Sequence, residues 1–377
     1  MAPARTLSFN SQVRPTVPAR GGSDHHELQQ HTMSANPLPP SADYVVEPSS
    51  VVSTEVHDVD AMAACIEDGL SGEYVQLESG AFSARWTVLR LHTLVLQFSR
   101  EDVAAVHRIR VPADKWVFVV PLSVPDGVRW DGHAVSLETL MVCPPQSESF
   151  VFDPGGTELA VVSMGLEAAE ELVEGVAAGI GVSSAPRVVR PFPRDLGSLT
   201  SNIVALHATA EVRPGAISRE LAERADAVVK HGLRRCLLGV VAGEVVKESL
   251  RSRTSIVRRV EEFFRDHVDE TVSMTRLSTI AGVSERSLRN AFYRVCATSP
   301  KKYLRIWQLH QVRRSLRSAP GGPSAVTSVA TQHGFYELGR FAGEYRALFG
   351  EVPSETLQKA RSRPPLLTVR WPAVPAS

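Results

Sequence analysis

The chain has 377 residues, 43% of them hydrophobic, and its 41 basic and 41 acidic side chains cancel to a formal charge of zero. That length is ample for two or three cored domains, and the neutral total excludes a chain whose partner could be read from net charge alone. The four cysteines, Cys65, Cys143, Cys236 and Cys296, are scattered without a CxxC pair, which argues against a zinc site or disulfide framework and for a reducing compartment.

In chain order, residues 1–42 are rich in Pro, Ser, Gln and His, lack periodicity and are expected to be disordered. His25, His26 and His31 offer at most a weak metal handle there, and Met33 is an alternative start. No apolar core of a signal peptide is visible and no apolar run is long enough to span a bilayer, so a cytoplasmic protein without membrane contact is expected. VHDVDAMAACIEDG, from about 55 to 70, predicts a short helix closing on Gly69. The texture then changes. YVQLESGAF, RWTVLRLHTLVLQFS, KWVFVVPLSV, ETLMVCPP, SFVFD and LAVVSM are short, rich in Val, Leu and aromatics, and bounded by Gly and Pro. They read as strands of a barrel or jelly roll over 73–163, with a helix at 166–180 against it.

PFPRDLG, 191–197, reads as a linker, and 198–210 and 216–247 read as helices. The second carries an apolar stripe, Ile217, Leu221, Ala225, Val228, Val229, Leu233, Leu237, Leu238 and Val241. It is longer than packing on a small barrel requires, so it seals the barrel, pairs with the same helix of a second copy in a homodimer, or does both. Ile256 to His267 reads as a helix with Ile256, Val260, Phe263 and Phe264 buried. Charge also divides here: residues 251–363 hold 20 basic and 10 acidic side chains, residues 1–250 hold 20 and 31. A basic end beside an acidic remainder fits nucleic-acid binding by that end.

Leu277 to Phe292 carries the most information. Leu277, Ile280 and Ala281 share one face of a short helix, Gly282-Val283 breaks it, and Ser284 can cap a second helix. Leu288, Ala291, Phe292 and Val295 recur at i, i+3, i+4 and i+7 and form its buried side. Arg286, Arg289, Asn290, Tyr293 and Arg294 remain on the other side. Such a face suits the major groove of double-stranded DNA, where arginine pairs two-pronged with guanine and asparagine with adenine. The pattern recurs in VTSVATQHGFYELGRFAGEYRALFG: Val326, Val329 and Ala330 match the first helix, Gly334 the break, and Phe341, Tyr345, Leu348 and Phe349 the inner face. Between the units, Ser299-Pro300 opens a helix running to Arg317, about 27 Å long at 1.5 Å per residue. That suits reading heads in adjacent grooves, whose windows are ~34 Å apart.

Residues from about 255 to 360 resemble the DNA-binding domain of the AraC/XylS family of bacterial transcription regulators. Leu277, Ala281, Val283-Ser284, Leu288, Phe292, Ser299-Pro300, Tyr303-Leu304, Gly334-Phe335, Phe341, Phe349-Gly350 and Pro353-Ser354 carry the resemblance. It implies seven helices bearing two helix-turn-helix units, and favours an activator that touches RNA polymerase. The chain departs from the family at three places. Ala297 stands where the first unit usually ends in glycine, Gln308-Leu309 replaces an Arg-Leu pair, and Gly339 and Gly343 occupy outward positions of the second reading helix. The first unit is therefore expected to do most of the reading. YVQLESGAF and LMVCPP, within roughly 60–165, resemble the sensor domain of ethanolamine-type AraC-family regulators. That resemblance implies a cupin-like ligand-binding or dimerising domain without specifying the effector.

The expected class is α+β. It comprises a tail (1–42), a β-rich jelly-roll or cupin-like sensor (43–195), a helical connector (196–252), an all-α DNA-binding domain (253–360) and a second tail (361–377). Arg286, Arg289 and Asn290 are the candidate base contacts. Ser284, Arg294, Arg305, Tyr336, Arg340 and Arg346 are the candidate backbone contacts. Phe82, Trp86, Trp116, Phe118 and Trp130 could line a pocket, although aromatics on strands are commonly plain core. A jelly-roll enzyme is the rival class, but the chain lacks HxH, a P-loop, GxGxxG before a helix and GxSxG. His92, His107 and His133 are separated and read as surface or hydrogen-bonded core residues. No cofactor and no metal site is expected.

Overall fold

The structure is a computed structural model that describes residues 50–66, 70–173, 186–212, 215–240, 248–267, 272–319 and 325–362. The predicted tail 1–42 with Met33 and its three histidines, residues 363–377 of the second predicted tail, and Gly69 lie outside them, whereas residues 361 and 362 continue a helix.

Two antiparallel sheets face each other. The strands are β1 (Ser50–Val56), β2 (Ser71–Gln76), β3 (Ala84–Arg90), β4 (Leu94–Glu101), β5 (Ala105–Arg110), β6 (Lys115–Ser123), β7 (Arg129–Trp130), β8 (His133–Ala134), β9 (Leu140–Cys143), β10 (Glu148–Asp153), β11 (Glu158–Gly165), β12 (Arg187–Val189) and β13 (Gly215–Ala216). One sheet runs β12-β9-β6-β11-β4-β3-β1-β13 and the other β2-β5-β10-β7-β8. They do not close into a barrel, so of the two predicted β architectures the open two-sheet form is the one adopted.

Both faces of the central strands are covered, and this explains their near-continuous apolar runs. On β6, Val117 and Val119 pack between the sheets with Trp130 and Val151. Phe118 and Val120 face outward, against α2 (Leu166–Val173), α3 (Pro193–Val212) and α4 (Arg219–Leu238). The smaller sheet turns Val106 and Phe150 outward into the core of the C-terminal helices. The order through the molecule is therefore helices, large sheet, inner core, small sheet, helices.

Several expectations need correcting. β1 was not anticipated, because its centre is exposed and polar. The predicted helix is α1, Val59–Ile66, and RWTVLRLHTLVLQFS is two strands joined by a turn at His92-Thr93. β5, AVHRIR, escaped notice because it carries a buried polar residue on each face, His107 inward and Arg108 outward. The predicted linker 191–197 already belongs to α3 from Pro193, whose missing N–H costs nothing in a first helical turn. The long helix 216–247 begins at Arg219 behind a Ser218 cap and ends at Gly239, and 241–247 lies outside the described residues, as does 174–180. Its stripe also divides: Ala225, Val229, Leu233 and Leu237 are buried, whereas Leu221, Val228 and Leu238 are exposed.

α4 is pinned to the large sheet by Asp226, which is only 4% exposed. Its carboxylate accepts from the Thr93 and Leu94 amides at 2.6 and 3.0 Å and from the Thr93 hydroxyl, and Lys230 lies 3.2 Å away. These contacts satisfy the amides of the exposed Thr93 and of Leu94, which is buried. Asp226→Ala should cost about 3 kcal/mol, from charge-assisted bonds lost and donors stranded, measured by chemical denaturation. A loss under ~1 kcal/mol would mean the strand ladder holds the turn unaided.

Candidate nucleic-acid interface

Seven helices make up the described C-terminal part: α5 (Glu248–Asp266), α6 (Met274–Ala281), α7 (Glu285–Val295), α8 (Pro300–Ser318), α9 (Ala325–Gln332), α10 (Leu338–Phe349) and α11 (Pro353–Ser362). The first helix pair is closed at each joint. Ser273 caps α6 by accepting from the Arg276 amide at 3.2 Å. Gly282 ends it at φ +66°, the left-handed region that glycine enters without a Cβ penalty. Ser284 then caps α7 by accepting from the Ser287 amide at 3.2 Å. Leu277, Ala281, Leu288, Ala291, Phe292 and Val295 are all buried, as their spacing requires. Arg286, Arg289, Asn290, Tyr293 and Arg294 are exposed on the opposite side of α7. Arg289 holds Glu285 at 2.9 Å, one turn back, a surface pair weak enough to be exchanged for a stronger acceptor.

The far end of α7 is built differently. Ala297 takes the position at which the sequence resemblance leads one to expect glycine, and it sits at φ +53°. A side chain there is strained by about 1–2 kcal/mol. Arg129 of β7 meets this helix end, donating through Nη1 to the carbonyl of Tyr293 and, at 3.3 Å, to that of Arg294.

α8 is capped by Ser299, which accepts from the Lys302 amide at 3.3 Å, with Pro300 in the first turn. It is buried on every side, and even Gln308, His310 and Arg313 are covered. The second pair resembles the first but is held less firmly. Gly334 makes the break at φ +77°, and Glu337 stands at the start of α10 without a side-chain cap bond. A Cβ at Gly339 or Gly343 would meet nothing, so both positions face open space, as the sequence pattern implied. Tyr336, Arg340 and Arg346 are exposed and Ser284 lies at the surface. Arg305 differs from the other candidate cations: it is half-buried, 2.7 Å from Glu344 and 4.0 Å above the Phe335 ring. Glu344 also holds Arg340 at 2.8 Å.

The sequence reading missed the polar seam that fixes α8 and α5 to the β-rich part. Asp58, buried just ahead of α1, faces Arg313 at 2.9 Å and Arg317 at 2.6 Å, and accepts from the Asp60 and Ala61 amides. Asp60 takes Arg314 at 3.2 Å and Arg317 at 3.0 Å. Glu73 pairs with Arg265 at 3.1 Å, and Glu148 with Arg258 at 2.7 Å and with Arg108. Arg108 reaches Glu261 at 3.3 Å, and Tyr303 donates to the same carboxylate. His310 donates through Nε2 to the Gln76 carbonyl at 3.2 Å, while burial pushes its imidazole down to about 3 and keeps it neutral. The one available signal was Asp58 itself, an aspartate placed to cap a predicted helix.

Between the sheets lies a cavity of about 40 Å³, room for roughly three waters. Of the five aromatics proposed from the sequence, Trp86 and Trp130 line it. Phe82 packs beside Trp86 in the same cluster, and Trp116 and Phe118 stack 6.3 Å apart on the helix side of the large sheet. His107 also lines the cavity. Burial pushes its imidazole down, but Glu101 at 2.9 Å and Asp153 more than offset this and hold it above the usual value. The Trp86 indole N–H, also in the wall, has no hydrogen-bond partner among the described residues.

Two helix pairs on one buried strut, each turning cations outward, define a bipartite helix-turn-helix module. A helix-turn-helix domain model matches residues 277–359. The chain is 34% identical over 125 residues to a Pseudomonas putida XylDLEGF operon transcriptional activator, covering 33% of this chain and 39% of that protein. It is 35% identical over 121 residues to XylDLEGF operon transcriptional activator 2 of the same organism, covering 32% of this chain and 77% of that protein. A probable AraC family transcriptional regulator of Rhodopseudomonas palustris, known as a crystal structure, is 36% identical, covering 29% of this chain and 98% of that one at a TM-score of 0.25. The chain belongs to the AraC/XylS family of transcription regulators. It spans 39% of the length of the first of these relatives.

The seam responds to acid in a definite direction. Burial alone would raise the Asp58 carboxyl, but Arg317, Arg313 and the Ala61 amide outweigh it and hold it at about 2, below the ordinary 3.8. A depressed carboxyl contributes stability above its unfolded value and loses it as pH falls through the folded one. Between pH 5 and pH 2, Asp58→Asn should therefore lose about 2 kcal/mol less stability than the parent chain, as followed by denaturation at each pH. Parallel pH curves would show that the charge is not held there.

Proposed function

We propose that the chain is a sequence-specific regulator of transcription that binds promoter DNA, reading bases mainly with α7 and gripping phosphates with α10. The observation that carries this is the face of Arg286, Arg289 and Asn290, exposed on a helix capped by Ser284 and backed by a fully apolar side. The side chains of Arg286 and Asn290 make no hydrogen bond or ion pair among the described residues, and Arg289 gives up only a surface pair, so all three are free for base edges. Ser284, Arg294, Tyr336, Arg340 and Arg346 are the phosphate contacts. Arg305 joins them by releasing Glu344, and otherwise braces α8 against α10.

In this reading residues 43–195 sense a small molecule, 196–252 connect and carry a face for a second copy, and 253–360 bind DNA. The cavity walled by Trp86, Trp130, His107 and Glu101 is the candidate effector site, apolar with a few placed polar groups. Its small volume means that an effector larger than a few atoms enters by parting the sheets. Leu221, Val228 and Leu238, exposed on α4, supply the contact for a homodimer. The protein works in the cytoplasm as an activator in contact with RNA polymerase, and has no catalytic activity. Effector binding shifts the population between arrangements of the reading helices.

Mapping genomic binding of the intact chain tests the reading, and a chain that enriches no promoter would overturn it. Arg289→Ala should cost about 1–3 kcal/mol on the selected site and relax one base preference, measured by fluorescence anisotropy against variant duplexes. An equal loss on random DNA would make it a phosphate contact. Arg340→Ala should weaken all duplexes alike and lower the salt slope by about one. A loss confined to the selected site would give α10 a reading role.

A further inference from the structure

The carbonyls at the end of an α-helix have no intrahelical donor and must find one elsewhere. In α7 the Cys296 amide serves Phe292 at 2.7 Å, and the next two carbonyls are those of Tyr293 and Arg294. The usual solution is a left-handed glycine immediately after the helix, whose amide and that of its successor turn back onto these groups. This chain puts Ala297 there, at φ +53°, a conformation that a Cβ disfavours. The donor comes from 164 residues away: the Arg129 guanidinium bonds to both carbonyls. A cation at this end also meets the negative pole of the helix. Arg129 is itself held, half-buried, 6.0 Å from the centre of the Phe152 ring, and its neighbour Trp130 is fixed in the cavity wall by an indole N–H bond of 2.9 Å to Ser149.

We propose that Arg129 is a positioning residue for DNA reading, closing the C-terminal end of α7 from the small sheet because Ala297 closes it poorly. The proposal rests on α7 being the reading helix. Arg129 touches no base in this account. It keeps the last turn of α7 wound, and thereby sets where Asn290 and Arg294 stand relative to Arg286. It also makes the geometry of the reading helix depend on the sheet that walls the cavity.

The test uses the full chain, a duplex it selects from a random library, and a shuffled duplex of the same composition. Without DNA, Arg129→Ala should speed amide exchange at 291–298 about tenfold, the equivalent of one charge-assisted bond, and leave 338–349 unchanged. With DNA, affinity for the selected duplex should fall about tenfold, that for the shuffled duplex less than twofold, and the salt slope should hold. Adding Ala297→Gly to Arg129→Ala should restore at least half of the logarithmic loss in both measurements, because glycine lets the helix close itself.

Unchanged exchange at 291–298 overturns the proposal. Equal losses on both duplexes, with a salt slope reduced by about one, also overturn it, since they mark a direct phosphate contact. Failure of Ala297→Gly to rescue removes the link to the helix end. If the parent chain selects no sequence, the DNA-reading assignment fails, and the exchange measurement still decides separately whether Arg129 closes the helix.

Discussion

The arrangement of this protein depends on keeping a cationic helix covered. α8 presents Arg313, Arg314 and Arg317 toward the β-rich part, and covering them in apolar surroundings would be prohibitive. Asp58 and Asp60 meet them at the start of α1, and Glu73 and Glu148 perform the same service for α5. Around this seam Val75, Leu77, Val106 and Phe150 join the core of the helical part. The two halves are thus mated by matched charge and apolar contact together. Such a seam is strong while every partner is in place and exacting about geometry, because losing one leaves a buried charge unpaired.

The seam also gives the two helix-turn-helix units unequal support. α7 is capped at its start by Ser284 and met at its end by Arg129 from the small sheet. α10 begins without a side-chain cap and carries two exposed glycines, and its Glu344 is shared between Arg305 and Arg340. A helix fixed at both ends can hold arginine and asparagine in register with base edges, where misplacement is costly. A looser helix is adequate for phosphates, which tolerate displacement. The proposed division of labour agrees with the side chains each helix exposes.

Much of the helical part was legible beforehand because its signals are local. Ser284, Ser299 and Gly282 act within a single turn, and Leu288, Ala291, Phe292 and Val295 mark their own buried side through spacing alone. The strands were less legible. Period-two alternation disappears when both faces are covered, as on β6, and is disguised when each face buries a charge or an imidazole, as on β5. The exposed part of the α4 stripe was indistinguishable from its buried part, since Leu221 and Leu233 are equally apolar and only their neighbours differ.

What the sequence determined by itself, then, is the bipartite helix-turn-helix module with its caps, breaks and outward cations, since each depends on residues within a few positions of one another. Tertiary structure decided the rest: that Asp58 lies against Arg313 and Arg317, that His107 and Trp130 share a cavity, and that Arg129 reaches the end of α7. The physical reason is range. A cap or an amphipathic stripe is written along one helix, whereas a buried ion pair joins side chains some 250 positions apart whose separate contexts look like ordinary surface.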